Sequence, residues 1–413
     1  MIKKDYIRME TDFFHAENLA NKIGNYLWLN DNILYLWTGN KWQLAKGDEP
    51  EENELDKFIE RIRPKNPRVP RPSTKVKNEA RKLAIALCEE QPELSGNYLC
   101  FLNQVHNLST GETVSRLKEH LTHQVIPWDL KQIDNEKLRE ATKFYLSTLS
   151  EDPTAPVKIL RLFMSSILRH NSSNVIFNIY GDSGSGKSTL REAVISFAGV
   201  ENSTTISPQK LSGRFDLEDL IHKTLNATAE TSDSPLTPEQ VANLKQLSGS
   251  EMISTDRKFH KRQRFYSTAQ LLFVGNAPLR FDGSNQRAIS DRIIEVKMDK
   301  HFRGDKESQE STTHLFREAL PQYHFEHDEN ELLSYLKTTE FKNEIFRLSK
   351  FLKVLTSKNT IPSPALPNQF SPFQLEYFDK KLESKELDLM NQPHSQEPKQ
   401  ESQPDSLNPN PFY

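Results

Sequence analysis

Glycine is scarce in this chain, 14 in 413 residues, about half the ~7% of ordinary proteins. Three of them nevertheless crowd into one short run, Gly181-Asp182-Ser183-Gly184-Ser185-Gly186-Lys187-Ser188-Thr189. The run satisfies every fixed position of G-x-x-x-x-G-K-[ST]. Val175 to Tyr180 before it reads as an apolar strand, and Leu190 to Phe197 after it as a helix. Strand, glycine-rich turn and helix start together make backbone N–H groups converge on a phosphate, with the helix dipole adding its positive end. In that setting Lys187 is placed to reach β- and γ-phosphates, and Ser188 to bind Mg²⁺.

The residues that follow extend this reading. Segment 174–300 alternates strand-like and helix-like stretches, which predicts an α/β domain with a parallel-type sheet. Hydrolysis needs a carboxylate near the metal and the attacking water. The sparsely apolar strand Thr224 to Thr231 offers Glu230, and Asp233 is a nearby alternative. Thr237-Pro238-Glu239-Gln240 has the marks of a helix start, with Thr237 as cap and Gln240 completing a capping box. Asp256 to Tyr266 holds five Lys/Arg and three aromatics in eleven residues. Such a run is either a solvated charged loop or a surface that holds phosphates and stacks bases. Leu271 to Val274 is a fully apolar strand ending in Gly275-Asn276-Ala277-Pro278. Ligands of open parallel sheets sit beyond the carboxyl ends of the strands. Asn276 is therefore placed for a γ-phosphate or a water, unless it only forms a turn. Ala288 to Val296 puts Arg292 at the head of another strand.

Outside this segment the chain divides by composition. Residues 1–62 read as an α+β segment with aromatics Tyr26, Trp28, Tyr35, Trp37 and Trp42 in and around a hairpin, Ile33 to Gln43. Their spacing favours cross-strand packing over base stacking. Four prolines between Arg63 and Pro72 forbid a helix, so 63–75 reads as a basic linker. Residues 76–150 form a helical and mixed region, with helices expected at Lys77–Glu90 and Asn135–Leu149. A further helix, Ala155–Arg169, opens the domain at 151–302. Residues 303–357 are helical, with a polar loop at 303–312 and a helix over 330–355. The tail, 358–413, is largely disordered by composition. Two cysteines build no disulfide framework. No apolar run is long enough for a membrane span, and Met1 to Arg8 lacks the apolar core of a signal peptide. A soluble intracellular protein is expected, with no membrane partner. The net charge of −3 names no partner, so a nucleic-acid surface must be a local patch.

The ordered set GDSGSGKST, Glu230, KQLSGSEMISTDRKFHKRQRF, LLFVGNAP and DRIIEV resembles superfamily 3 helicases, in the phage/plasmid primase-associated and poxvirus-type branch. The resemblance covers about Asn97 to Val296. It implies an AAA+-like P-loop NTPase core that binds ATP and Mg²⁺, assembles as a homo-hexamer and translocates on single-stranded or forked DNA in replication. The phosphate cradle would be Gly181, Asp182, Ser183, Gly184, Ser185, Gly186, Lys187, Ser188 and Thr189, with metal held by Ser188 and Glu230. Asn276 would be the sensor asparagine. Arg292 would be the arginine finger, with Arg287 as its rival. Lys258, His260, Lys261, Arg262 and Arg264 would contact DNA. A primase or initiator is the implied partner, because no primase site precedes the motor. Two other classes remain to be separated from it: a small-molecule kinase with the same loop, and a decayed scaffold that binds nucleotide or DNA without turnover.

Overall fold

Along Ile176-Phe177-Asn178-Ile179 successive side chains point to opposite faces of a strand. Ile176 joins one apolar cluster and Phe177 and Ile179 another. Leu271 and Phe273 likewise go with the first, Leu272 and Val274 with the second. A sheet buried on both faces is the signature of parallel pairing covered by helices. The computed structural model describes residues 16–30, 33–37, 42–44, 57, 59–60, 72–88, 96–169, 174–211, 216–229, 231–232, 234–249, 251–255, 263–282, 289–300, 306–325 and 330–356. All belong to one unit, Met1–Ala365; a second unit, Leu366–Tyr413, lies outside the described residues. So do most of the linker at 63–75 and the whole tail at 358–413.

The N-terminal part contains helix α1 (Ala16–Gly24), strands β1 (Leu27–Asn30), β2 (Ile33–Trp37) and β3 (Trp42–Leu44), and helix α2 (Thr74–Ala86). The three strands form an antiparallel sheet with Trp37 opposite Trp42. Its aromatics pack on one another, Trp28 stacking on Tyr35 at 4.7 Å. Helix α2 starts three residues before the expected Lys77 because Ser73 caps it, its hydroxyl accepting from Val76 N–H. A second antiparallel sheet joins β4 (Tyr98–Cys100), β5 (Gln104–Asn107) and β6 (Thr113–Ser115).

Helices α3 (Glu136–Thr148) and α4 (Ala155–Ser165) follow. The central sheet then comes from β7 (Ile176–Tyr180), β8 (Ser203–Thr204), β9 (Leu225–Ala227), β12 (Gln270–Gly275) and β13 (Ile293–Lys297). Its order is β13-β7-β12-β9-β8, parallel throughout. Helix α5 (Lys187–Ala198) follows β7, and α6 (Pro238–Ser248) packs on the other face. Strands β10 (Met252–Thr255) and β11 (Gln263–Tyr266) pair antiparallel as a hairpin. Trp128 ties the pre-sheet region to α5: its indole N–H donates to Phe197 O at 2.8 Å, and its ring meets Phe101 at 4.8 Å.

The C-terminal helices depart from the sequence expectation in two places. The segment expected as a polar loop at 303–312 enters helix α7 (Lys306–Ala319) at Lys306. Polar residues there include good helix formers, and buried Phe316 and Ala319 anchor the far end in the core. The single helix expected over 330–355 is two, α8 (Glu331–Leu336) and α9 (Thr339–Thr356). Thr338 makes the break by accepting the Phe341 N–H on its hydroxyl, a side-chain cap that starts a new helix. Among the described residues no helix is long and apolar enough to cross a membrane.

Candidate functional site

The loop Gly181–Gly186 leaves β7 at its carboxyl end and delivers Lys187 to the first turn of α5. Gly184 and Gly186 have φ of 85° and 87°, backbone that a side chain disfavours. Gly181, with φ of 155°, is needed for space as well. A Cβ there would stand 2.2 Å from Met298 O. Lys187 is 9% exposed. Its amine donates to Gly181 O and Asp182 O, both at 2.6 Å, and more weakly to Ser185 Oγ at 3.4 Å. The loop is thus wound around its own cation. Ser183 and Ser188 are exposed, and Thr189 is half-buried.

Asn276 sits just past the end of β12. Gly275 pairs with Tyr180, so Asn276 is level with Gly181 on the adjacent strand, and it is exposed. Its loop is fixed by a residue that no motif marks. Asn178, fully buried in mid-strand, accepts from Leu279 N–H at 3.0 Å and donates to Phe273 O at 3.3 Å. Asn178→Leu removes both bonds and leaves the N–H of half-buried Leu279 without its partner, at a cost of about 1–3 kcal/mol. We expect a lower melting temperature for this variant by calorimetry, despite its greater hydrophobicity.

Glu230 and its alternative Asp233 lie outside the described residues. The strand before Glu230 is polar for a structural reason. Asn226 is fully buried yet satisfied, accepting from Ile206 N–H at 2.7 Å and donating to Ile206 O at 3.0 Å. Thr228 Oγ1 accepts from Val274 N–H at 3.2 Å. Beyond residue 230, Thr231 N–H donates to Val274 O at 2.8 Å. The chain on both sides of 230 therefore runs beside the end of β12. Arg191 of α5 donates to Ala227 O at 3.1 Å, which holds the helix against the same strand end.

Arg292 is occupied within its own chain. One guanidinium nitrogen donates to Lys245 O at 2.7 Å and to Ser248 Oγ at 3.0 Å. A cation there closes the C-terminal turn of α6, where helix carbonyls lack partners. Its carbonyl accepts from Ile176 N–H at 2.8 Å, at the start of β7. Arg287 lies outside the described residues. Of the expected DNA-contacting residues, Arg264 is exposed on β11, opposite Ser254. Lys258, His260, Lys261 and Arg262 lie outside the described residues, between β10 and β11. Among the described residues no cluster of three His, Cys, Asp or Glu side chains is arranged to hold a metal.

The capping box is formed as expected. Thr237 Oγ1 accepts from Gln240 N–H at 3.4 Å, and Thr237 N–H donates to Gln240 Oε1 at 2.9 Å. Sequence reasoning missed Asn178 and Asn226; a lone Asn inside an apolar strand is the signal for Asn178, and the polar strand around Asn226 carries none.

Residues 179–290, from the end of β7 to just before Arg292, match a family of unknown function (DUF5906). No curated protein matches the chain. Among solved structures, the apo NrS-1 C-terminal region is 13% identical over 89% of this chain and 86% of that one, with a TM-score of 0.45. A JCV helicase bound to a small molecule is 14% identical over 62% of each chain, with a TM-score of 0.32.

Proposed function

We propose that this chain is an ATP-driven DNA helicase with an AAA+-like P-loop core, acting in replication of a viral, phage, plasmid or similar element. One observation carries the reading. A glycine loop at the carboxyl end of a parallel strand encloses the Lys187 amine at 2.6 Å from two of its own carbonyls, with Asn276 level with that loop on the next strand. Phosphate oxygens are better partners for the amine than carbonyls, because both partners are then charged. On nucleotide binding, Lys187 exchanges Gly181 O and Asp182 O for the β- and γ-phosphates, and the loop N–H groups hold the remaining oxygens.

The donor set suits a hard cation. Ser188 offers an exposed hydroxyl at the head of α5, and Glu230 a carboxylate, both oxygen ligands of the kind Mg²⁺ takes. The metal would neutralise phosphate charge there. Glu230 orients the attacking water, and Asn276 bonds the γ-phosphate or that water. In a homo-hexameric ring the arginine completing a neighbour's site is Arg292 or Arg287. For Arg292 to serve, it must first release the end of α6. That helix leads directly into strand β10, so the release would pass to the Lys258–Arg264 stretch, which grips single-stranded or forked DNA. A primase or initiator would load the ring.

The test is steady-state ATP hydrolysis by the purified full chain, with and without single-stranded DNA. Hydrolysis stimulated by DNA, with a stimulation that weakens as salt rises, is the expected result. A folded, assembled protein that hydrolyses no ATP in either condition would end the motor reading and leave a nucleotide- or DNA-binding scaffold.

A further inference from the structure

Strand β9 leaves its ladder one residue out of step. Up to Thr228 its pairing with β12 is regular. Gln270 N–H donates to Thr224 O at 2.8 Å and Thr228 N–H to Leu272 O at 3.1 Å, with Leu272 opposite Ala227. Bonds between parallel strands are evenly spaced. Continued evenly, they would join Val274 N–H to Thr228 O, and the N–H of residue 230 to Val274 O. Instead Val274 N–H goes to the Thr228 hydroxyl at 3.2 Å, and Val274 O is taken by Thr231 N–H at 2.8 Å. The chain from Thr228 to Thr231 is one residue longer than the ladder needs, which is a β-bulge.

Bulges are rare between parallel strands. Blunting a sheet edge does not explain this one, because β9 and β12 both lie inside the sheet. The other common use of a bulge is to re-aim a side chain beside an active site. Two features hold it in place. Thr228 is 1% exposed, and its hydroxyl stands in for a ladder carbonyl, so the buried Val274 N–H is satisfied although the strand is out of step. At the far end, Gly275 leaves room for Thr231: a Cβ on Gly275 would collide with Thr231 Oγ1. Both ends of the bulge are thus fixed to the last two residues of β12, immediately before Asn276.

Resting on the ATPase reading of the phosphate loop, we propose that Thr228 is a positioning residue, whose hydroxyl holds the bulge that aims the Glu230 carboxylate at the attacking water. Valine has nearly the same shape without the acceptor. With valine at 228, Val274 N–H would turn to the carbonyl of that residue. The ladder would then run on evenly, and the extra residue would be drawn out of its place. Thr228 acts through Glu230 and not on the nucleotide, so ATP affinity should not depend on it.

The experiment measures ATP hydrolysis with single-stranded DNA, ATP affinity by calorimetry and a thermal melt. It uses the full chain as wild type, Thr228→Val, Thr228→Ser, Glu230→Gln, and Thr228→Val combined with Glu230→Gln. Thr228→Val is expected to lower kcat about a hundredfold, the cost of a catalytic group misplaced by ~1 Å, and to bind ATP as wild type does. Thr228→Ser, which keeps the hydroxyl, should turn over near the wild-type rate. Adding Thr228→Val to Glu230→Gln should cost nothing further, because residues that act as a unit are not additive. If Thr228→Val does not fold, Thr228→Ala carries the same expectations. A folded Thr228→Val with wild-type kcat would overturn the proposal. So would an equal loss in Thr228→Ser, a matching loss of ATP affinity, or a full further loss on top of Glu230→Gln; each of these leaves the ATPase reading standing. A wild type that hydrolyses no ATP removes that reading, and this inference with it.

Discussion

Lys187→Ala is expected to lower kcat for ATP hydrolysis at least about a hundredfold while leaving the fold intact. The amine is the cation that the loop encloses, and in the proposed reaction it would face the negative charge that gathers as the terminal phosphoryl group departs. Removing a single pre-positioned donor from such a site costs about 10²–10³ in rate. Stability is set by a separate balance. The amine's two strong bonds are to backbone carbonyls of its own loop, and losing hydrogen bonds to a charged group costs about 1.5–3 kcal/mol each at most. Removing a cation that is only 9% exposed offsets part of that, since burying charge is unfavourable. Lys187→Arg should fail nearly as badly, because a planar guanidinium cannot fill a pocket built for a point charge. The measurement is hydrolysis beside a thermal melt for each variant. Wild-type kcat in a folded Lys187→Ala protein would show that this loop is not where ATP reacts.

What the sequence made legible and what it did not divide along one physical line. The glycine run and the capping box at Thr237 are set by residues within a few positions of each other. Local chemistry of that kind is written in spacing. Asn178 acts on Leu279, 101 positions away, and Gln124 on His222, 98 away; no spacing announces either. The polar strand at Thr224–Thr231 looked like a weak element for the same reason: its Asn226 and Thr228 are satisfied by Ile206 and Val274, partners that sequence cannot supply. The helix at Lys306 was hidden by polarity, since its buried residues cluster at one end rather than recurring along it.

Gly181→Ala is the second large expectation, and its cause is steric. The added Cβ would sit 2.2 Å from Met298 O and 3.1 Å from the Met298 carbonyl carbon. Neither atom can swing away as a side-chain tip would. Met298 follows β13 directly, and its N–H donates to Tyr180 O at 2.7 Å, so the parallel pairing of β13 with β7 fixes that carbonyl over the loop. The variant must therefore part the two strands' ends or push the loop off its course. Overpacking of this kind costs about 1–3 kcal/mol, and about 2–4 °C of melting temperature per kcal/mol in a domain of this size. Nucleotide binding should fall further than stability, because the displaced carbonyl of Gly181 is also one of the two that hold Lys187. Gly24→Ala is the control: a Cβ there meets nothing within 4 Å, and neither melting nor binding should change. If Gly181→Ala instead melted and bound like wild type, the carboxyl ends of β7 and β13 would be free to separate, and the loop would owe its shape to Gly184 and Gly186 alone.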